Sequence, residues 1–296
     1  MPAPARVSRH ASSVGRWEMA VATPPAALRP YVRRYVGWDE HMAAPLCRRE
    51  PPSDEAPMVI NLGAPIRLHH LIHTERFEEV DSFITGAYDS CQVVGSAGPF
   101  GGVQVDFTLL GLRHLLGRPL EDLTNRAVAP TDLFGPHAAD LCDRLREAAS
   151  WDARFAMVET FVMPRVLGES TVPGGVRCSW ERLLASGGRV AIGDLVADTG
   201  WSQKHLIARF RHEIGLPPKV FARVLRFGRA VEAIRGGTAR GLSDLAVQCG
   251  YYDQAHLTRD VRQFTQTTPG ALVASLLPDG GGFRYDEAAA VGRRAG

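Results

Sequence analysis

The sequence predicts an α+β chain: an N-terminal antiparallel β-barrel with a helical hairpin, followed by an all-α module with two helix-turn-helix units. Three observations support this fold class. Short β-like runs separated by Gly, Pro and Asp fill the first half, helical apolar spacing follows them, and one supersecondary pattern occurs twice near the C-terminus. With 296 residues and 45% apolar composition, the chain is long enough for two hydrophobic cores.

The first segment, residues 1–167, contains six short runs of strand type. Their short length and spacing along the sequence are typical of an antiparallel barrel or sandwich. They are Tyr31 to Trp38, Met58 to Leu62, Ile66 to Ile72, Ser82 to Thr85, Gln92 to Val94 and Val103 to Leu109. Two later segments, Ala138 to Ala149 and Asp152 to Val166, have apolar residues at helical spacing. They predict an α-hairpin that covers the barrel or pairs two protomers.

The segment 168–176 reads GESTVPGGV, a composition typical of a linker. It would join residues 1–167, an effector-sensing or dimerisation domain, to a second domain at 177–278, and residues 279–296 would form a disordered tail. No uncharged run approaches the ~20 residues of a membrane span, so we expect a cytoplasmic protein with no membrane contact. The five cysteines show no CxxC pairing and predict reduced thiols.

The C-terminal segment contains a repeat of about fifty residues. Three apolar positions of the first copy recur 51 positions later in the second. Leu206, Phe210 and Pro218 correspond to Leu257, Val261 and Pro269.

Each copy has the pattern of a helix-turn-helix. A short apolar helix ends at Gly200 or Gly250, the residue type that turns a chain sharply without steric cost. A second helix begins after Ser202 or Asp253, whose side-chain oxygen can cap it. One face of each second helix is apolar and packs inward, so the opposite face is free.

The free faces carry Gln, Lys and Arg, the side chains that read base edges in the major groove. The alternative is a solvated helix face, and two copies at a fixed spacing favour DNA. The candidate DNA-binding residues are Gln203, Lys204, Ile207, Ala208 and Arg211 in the first unit, and Gln254, Ala255, Thr258, Arg259 and Arg262 in the second.

From Ser179 to Leu277 the chain resembles the AraC/XylS-type transcriptional regulators. The first family box is matched by Gly200, Ser202, Leu206, Phe210, Gly215, Pro218 and Phe221. The second is matched by Asp244, Leu245, Ala246, Gly250, Tyr251, Asp253, Gln254 and Leu257. The resemblance implies that a long helix, Pro218 to Ile234, holds two recognition helices one DNA turn apart. Gln266 departs from the family, which usually has glycine there, so a left-handed cap at this residue would be mildly strained.

The resemblance also implies a cupin-like sensor in the first half. In the family's pattern the base-facing positions correspond to Lys204, Ile207 and Ala208 in the first unit and to Gln254, Ala255 and Arg259 in the second. The apolar members of this set contact thymine methyl groups but make no bidentate hydrogen bonds, so phosphate contacts would hold much of the first unit.

Charge is divided between the halves. Residues 1–177 have 18 basic and 21 acidic side chains, whereas 178–278 have 13 basic and 8 acidic ones. A net positive charge on the C-terminal module is expected for a domain that binds DNA.

An apolar effector pocket is predicted in the N-terminal half, with plain core packing as the alternative. Its candidate residues are Trp38, Phe83, Tyr88 and Phe107, with Phe100 beside them. A metal site at His69, His70 and His73 is disfavoured because neighbouring strand residues face opposite sides. The sequence predicts no metal, no cofactor and no catalytic residue.

These patterns favour a sequence-specific DNA-binding transcriptional regulator that responds to a small molecule and is not an enzyme. Two alternatives stay open: a cupin-type metalloenzyme with an accessory DNA-binding module, and a constitutive DNA binder whose N-terminal domain only dimerises. The expected partners are double-stranded promoter DNA, a small-molecule effector, RNA polymerase and, in a homodimer, a second copy of the chain. The sequence does not specify the effector, the operator or the sign of regulation.

Overall fold

The computed structural model describes residues 4–13, 15–44, 46–69, 77–96, 98–168, 171–238, 241–277 and 282–285. The predicted α+β class is confirmed, with antiparallel sheets in the first half and helices in the second. The strands are β1 (Arg6–Ser12), β2 (Gly15–Ala22), β3 (Val32–Met42), β4 (Leu46–Glu50), β5 (Glu55–Asn61), β6 (Ile66–His69), β7 (Phe77–Val80), β8 (Phe83–Thr85), β9 (Gln92–Ser96), β10 (Phe100–Thr108), β11 (Ala127–Val128) and β12 (Phe283–Tyr285). The helices are α1 (Leu109–Leu116), α2 (Pro130–Phe134), α3 (Pro136–Glu147), α4 (Trp151–Val166), α5 (Gly174–Ser186), α6 (Ile192–Thr199), α7 (Gln203–Ile214), α8 (Pro218–Arg235), α9 (Leu242–Gln248), α10 (Gln254–Thr265) and α11 (Pro269–Ala274).

The strands form two antiparallel sheets. The larger has the order β1-β2-β3-β10-β5-β8-β11, and the smaller has the order β12-β4-β9-β6-β7. Within the described residues each sheet keeps two edge strands, so the β-domain is two facing sheets and not one closed barrel. The register of β3 with β10 pairs Trp38 with Gly102, and a bulge interrupts it between Asp106 and Phe107.

The two faces of the larger sheet have different environments, because successive strand residues point to opposite sides. On β3, Tyr35 packs against Phe155 of α4, with ring centroids 5.8 Å apart. Trp38 lies on the other face, toward the smaller sheet, with Phe100 at 5.4 Å. The predicted α-hairpin is confirmed as α3 and α4, and it covers the first of these faces.

The predicted linker is shorter than expected. Helix α5 begins at Gly174, so residues 174–176 form its first turn. Gly175 is needed there, because a Cβ atom would approach the Trp201 ring to 2.7 Å. Val176 is fully buried. The residues that looked like a flexible connection thus start the C-terminal helical core.

The predicted disorder of the tail is wrong for residues 283–285. They form β12, which pairs with β4 of the smaller sheet. Phe283 is fully buried, and the Arg235 guanidinium lies over its ring at 5.1 Å. Burial of one aromatic side chain contributes about 2 kcal/mol, which opposes the loss of chain entropy. The rest of the predicted tail, apart from Gly282, lies outside the described residues.

The hydrophobic core runs without a break from the helices that cover the larger sheet into the C-terminal helices. The two halves also share polar contacts. The Cys91 amide donates to the Phe264 carbonyl at 2.8 Å, and the Thr124 hydroxyl donates to the Gly215 carbonyl at 2.9 Å. All five cysteines are free thiols, and none of the described helices is long and apolar enough to cross a membrane.

Candidate nucleic-acid interface and cavity

The first helix-turn-helix unit consists of α6 and α7. The chain turns at Gly200, whose φ of 66° lies in the left-handed region that favours glycine. The Ser202 hydroxyl then accepts a hydrogen bond from the His205 amide at 3.3 Å and caps α7 as predicted. Leu206 and Phe210 of α7 are fully buried, so the opposite face of this helix points outward.

The second unit, α9 and α10, repeats this geometry. Gly250 has a φ of 81°, and the Asp253 carboxylate accepts from the His256 amide at 2.7 Å. Gln266 ends α10 in the left-handed conformation with a φ of 56°. A residue with a Cβ atom is strained in this conformation by about 1 kcal/mol, which confirms the expected departure at this position.

Helix α8 holds the two units in a fixed relation. Near its start, Phe221 stacks on Trp180 at 4.6 Å and contacts Phe210 of α7 at 6.0 Å. Two residues further, Arg223 makes a 2.7 Å ion pair with the buried Asp260 of α10. Because α8 contacts both recognition helices through buried groups, their spacing follows from one rigid element.

Two further contacts of α8 complete this arrangement. Phe227 lies 5.0 Å from the ring of Phe264 in α10. Arg226 donates a hydrogen bond to the Gly188 carbonyl and lies over the Tyr251 ring at 5.8 Å. Arg226 therefore makes structural contacts within the C-terminal domain.

The structure places the candidate DNA-binding residues on the outward faces of α7 and α10. Ile207 and Thr258 are half-buried, and the others are exposed. The exposed ones are Gln203, Lys204, Ala208, Arg211, Gln254, Ala255, Arg259 and Arg262. Their contact with DNA stays a prediction.

Two of these side chains are bound to side chains of other elements. The Gln254 amide oxygen accepts from the Ser243 hydroxyl of α9 at 3.0 Å, which orients the side chain at the start of α10. The Arg211 guanidinium pairs at 3.1 Å with Glu121 of the N-terminal half. Arg211 is thus free to contact a phosphate only when this exposed pair opens. Sequence patterns gave no signal for this contact, because the partners are far apart in the chain.

A buried ion pair joins the N-terminal half to the end of α7. Arg113 of α1 donates from Nε to Glu213 at 2.7 Å, and the two side chains are only 5% and 4% exposed. Arg113 also donates to the Thr171 hydroxyl at 2.9 Å, and Arg209 contacts the second oxygen of Glu213 at 3.4 Å. The position of the first recognition helix therefore depends on the N-terminal half.

A cavity of about 1210 Å³ lies between the two sheets. Trp38, Phe83 and Tyr88 line it, as does Phe100. Phe107 does not, and its prediction as a ligand-binding residue is wrong. It is fully buried on the opposite face of β10. Successive side chains of a strand point to opposite faces, so Asp106 points into the cavity and Phe107 points into the core beneath the helices.

The lining also contains charged residues that the sequence reasoning missed. Six carboxylates face the cavity among the described residues: Glu40, Glu50, Asp54, Glu55, Asp106 and Glu232. Burial raises the pKa of Glu55 to about 7, with repulsion from Asp106 adding to the rise and the nearby Arg34 opposing it. Burial likewise raises the pKa values of Glu40 and Glu50.

The far side of the cavity is formed by α8. Gly228, Val231, Glu232 and Arg235 of this helix belong to the lining, together with Leu276, Leu277 and Gly282 near the C-terminus. A molecule in the cavity would therefore touch the helix that spaces the two recognition helices.

No metal site was found in the part of the chain that the structure describes. There, no three His, Cys, Asp or Glu side chains are grouped to hold an ion. His69 lies 3.6 Å from the Cys47 thiol, and His70 and His73 lie outside the described residues.

Comparison with known proteins gave one family match. Residues 195–275 match the family model described as a helix-turn-helix domain. No curated protein sequence matches the chain.

Solved structures with a similar arrangement include ToxT from Vibrio cholerae O395, at 10% identity and a TM-score of 0.45, covering 78% of this chain and 96% of that one. The AraC-like transcriptional activator CuxR is similar at 12% identity and a TM-score of 0.35, covering 77% of this chain and 85% of that one. The family match and the paired, capped units on one connecting helix identify residues 195–275 of this chain as a helix-turn-helix domain.

Proposed function

We propose that this chain is a transcription regulator that binds double-stranded promoter DNA through α7 and α10 and binds a small molecule in the cavity between its sheets. The observation that supports this proposal best is the position of α8. One side of α8 contacts both recognition helices, and other residues of it line the cavity. The sensing segment would end near residue 168, and the DNA-binding segment would begin with α5.

The proposed DNA contact has a geometric consequence. Two recognition helices on one connecting helix contact successive major grooves about 10 base pairs apart. The full chain should therefore select, from a random duplex pool, sites with two short boxes one helical turn apart. Inserting about five base pairs between the boxes turns the second groove to the far side of the duplex, and affinity should fall toward that of one unit.

The stronger unit is expected to be the second one. Gln254 and Arg259 offer hydrogen bonds to base edges, whereas Ile207 and Ala208 of the first unit offer only apolar contact. An unchanged affinity after the insertion would show that only one helix enters a groove. The first unit would then be part of the scaffold.

Substitution separates base reading from phosphate contact. Arg259→Ala should relax the preference at one position of the selected site and cost on the order of 1 to 3 kcal/mol against the correct base. Arg144→Ala is the matched control, because Arg144 is an exposed helix arginine of the N-terminal half. A uniform loss at Arg259 across all sequences would reassign it to phosphate contact. Contacts with RNA polymerase and homodimer formation stay predictions of the sequence.

A further inference from the structure

We propose that the cavity is built for an organic cation: a protonated amine or a quaternary ammonium group joined to an apolar body. This inference rests on the proposed function, because it names the chemical class of the small molecule. It follows from the charge balance of the lining, the position of one unpaired carboxylate and the aromatic wall of the same cavity.

The arginines of the cavity lining already have carboxylate partners. Each of the four in the described part has a carboxylate within ion-pair distance. The pairs are Arg33–Asp54 at 3.1 Å, Arg34–Asp106 at 2.5 Å, Arg48–Glu40 at 2.7 Å and Arg235–Glu232 at 3.9 Å. An anionic ligand would have to compete with these carboxylates for an arginine or leave its own charge unmatched.

The carboxylates outnumber the arginines. Glu55 shares Arg34 with Asp106, at a longer distance of 3.5 Å. Glu50 makes no hydrogen bond or ion pair with any described residue. Its side chain is exposed and lines the cavity. A cationic group placed at Glu50 would give this carboxylate a direct ion pair.

Charges of both signs surround Glu50. Arg235 and Arg48 attract its carboxylate and are the larger influences, while Asp106 and Glu40 repel it. Both arginines pair directly with other carboxylates, so neither makes a direct ion pair with Glu50. Thr85 adds a hydroxyl that is buried, lines the cavity and makes no hydrogen bond in the described residues. Such an oxygen can accept from an ammonium group or from the ligand's polar end.

One part of the lining is an apolar, aromatic wall. Trp38 packs with Val59, Ile66 and Phe83 in a small cluster of its own, separate from the main core. Aromatic faces attract cations electrostatically and cover hydrocarbon surface well. An amphipathic cation therefore fits both parts of the cavity, with its charge at Glu50 and its apolar body against Trp38 and Phe83.

The test uses the full chain and three probes of nearly one shape: 4-phenylbutylamine, 4-phenylbutan-1-ol and 4-phenylbutyrate. Isothermal titration calorimetry measures each affinity. A charge-assisted hydrogen bond at Glu50 should make the amine bind at least about tenfold more tightly than the alcohol. The butyrate should bind more weakly than both.

Glu50→Gln should lower the affinity for the amine to that for the alcohol and leave the alcohol unchanged. The matched control is Glu78→Gln, since Glu78 is an exposed carboxylate of β7 outside the cavity. Circular dichroism confirms that both variants are folded. Equal binding of the three probes, preference for the butyrate, no binding of any probe, or an unchanged amine affinity in Glu50→Gln would each overturn the inference.

Failure here is distinguishable from failure of the proposed function. DNA selection by the full chain is measured without any probe, so it tests the DNA-binding part independently. If the amine fails to bind but the two-box DNA site is selected, the ligand class is wrong and the DNA-binding proposal stands. If the amine binds and no DNA is selected, the cavity chemistry is right and the regulator proposal is wrong.

Discussion

Removing Arg113 should destabilise the chain strongly, because this residue neutralises a carboxylate that has almost no access to water. Glu213 is 4% exposed, and its 2.7 Å contact with Arg113 is its shortest ion pair. Removing one partner of a buried pair typically costs about 3 to 5 kcal/mol, since the other charge stays buried and uncompensated. Arg209 still reaches Glu213 at 3.4 Å and is 41% exposed, so water and this second arginine reduce the cost. We expect Arg113→Met to lower the free energy of unfolding by about 2 to 4 kcal/mol.

The cost should depend on the charge left behind and not on lost packing. The double variant Arg113→Met with Glu213→Gln removes both charges, and its stability should return to within about 1 kcal/mol of the parent. Urea unfolding followed by tryptophan fluorescence and circular dichroism gives both values, provided the two probes report one transition.

The matched control for this series is Arg146→Met. Its partners Asp143 and Asp81 are both exposed, so the loss should be below about 0.5 kcal/mol. If Arg113→Met costs less than about 1 kcal/mol, or if the double variant is as unstable as the single one, the uncompensated charge is not the cause.

Three further perturbations test separate parts of the structure. Glu121→Gln frees Arg211 and should raise DNA affinity about two- to fivefold at low salt, measured by fluorescence anisotropy; a gain that persists at high salt would contradict an exposed pair. Gln266→Gly relieves the left-handed strain and should raise the free energy of unfolding by about 0.5 to 1 kcal/mol, whereas an equal gain from Gln266→Ala would refute strain as the cause. Glu55 has a folded pKa of about 7, above its unfolded value, so its ionisation destabilises the fold as pH rises toward and beyond 7. Glu55→Gln should therefore exceed the parent in stability at pH 8 by on the order of 1 to 3 kcal/mol and lose this advantage below pH 5, and an advantage that does not vary with pH would exclude this titration.

The C-terminal domain was predictable because its signals are local. Gly200 and Ser202 fix a turn and a cap within three residues, and the apolar spacing of α7 needs only one helical turn to be recognised. The repeat then supplied a second copy of the same evidence. The structure adds the long-range partners, such as Glu121 for Arg211, which no local pattern contains.

The strands of the N-terminal half were predictable only where they are apolar. β1 is exposed along nearly its whole length, and β4 is rich in charge, so neither has the alternation that marks a half-buried strand. Both are held by pairing with strands distant in sequence. The β12 strand depends in the same way on β4, which explains why a polar tail looked disordered.

The cavity could be predicted in part, because aromatic residues give a signal and its carboxylates do not. Glu50 and Asp106 lie 56 positions apart in the sequence and resemble solvated strand residues when read singly. Strand pairing and the packing of the two sheets face to face bring these two carboxylates close enough to repel each other. The error at Phe107 has the same origin: hydrophobicity alone does not give the side of the strand, whereas its neighbour Asp106 already occupies the cavity face.

Because α8 lies between the cavity and the two recognition helices, a small displacement of α8 would couple ligand binding to DNA binding. Arg223 and Phe227 fix α8 to α10, while Glu232 and Arg235, five and eight residues after Phe227, reach the cavity. A cation bound at Glu50 would weaken the attraction between this carboxylate and Arg235. The last turn of α8 would then have different neighbours with and without a ligand. Only a difference in affinity between two arrangements of α8 can shift DNA binding, and the shift is reciprocal: bound DNA changes ligand affinity by the same factor. Because α8 packs against α7 and α10 through buried side chains, a displacement of α8 at the cavity would change the spacing of α7 and α10.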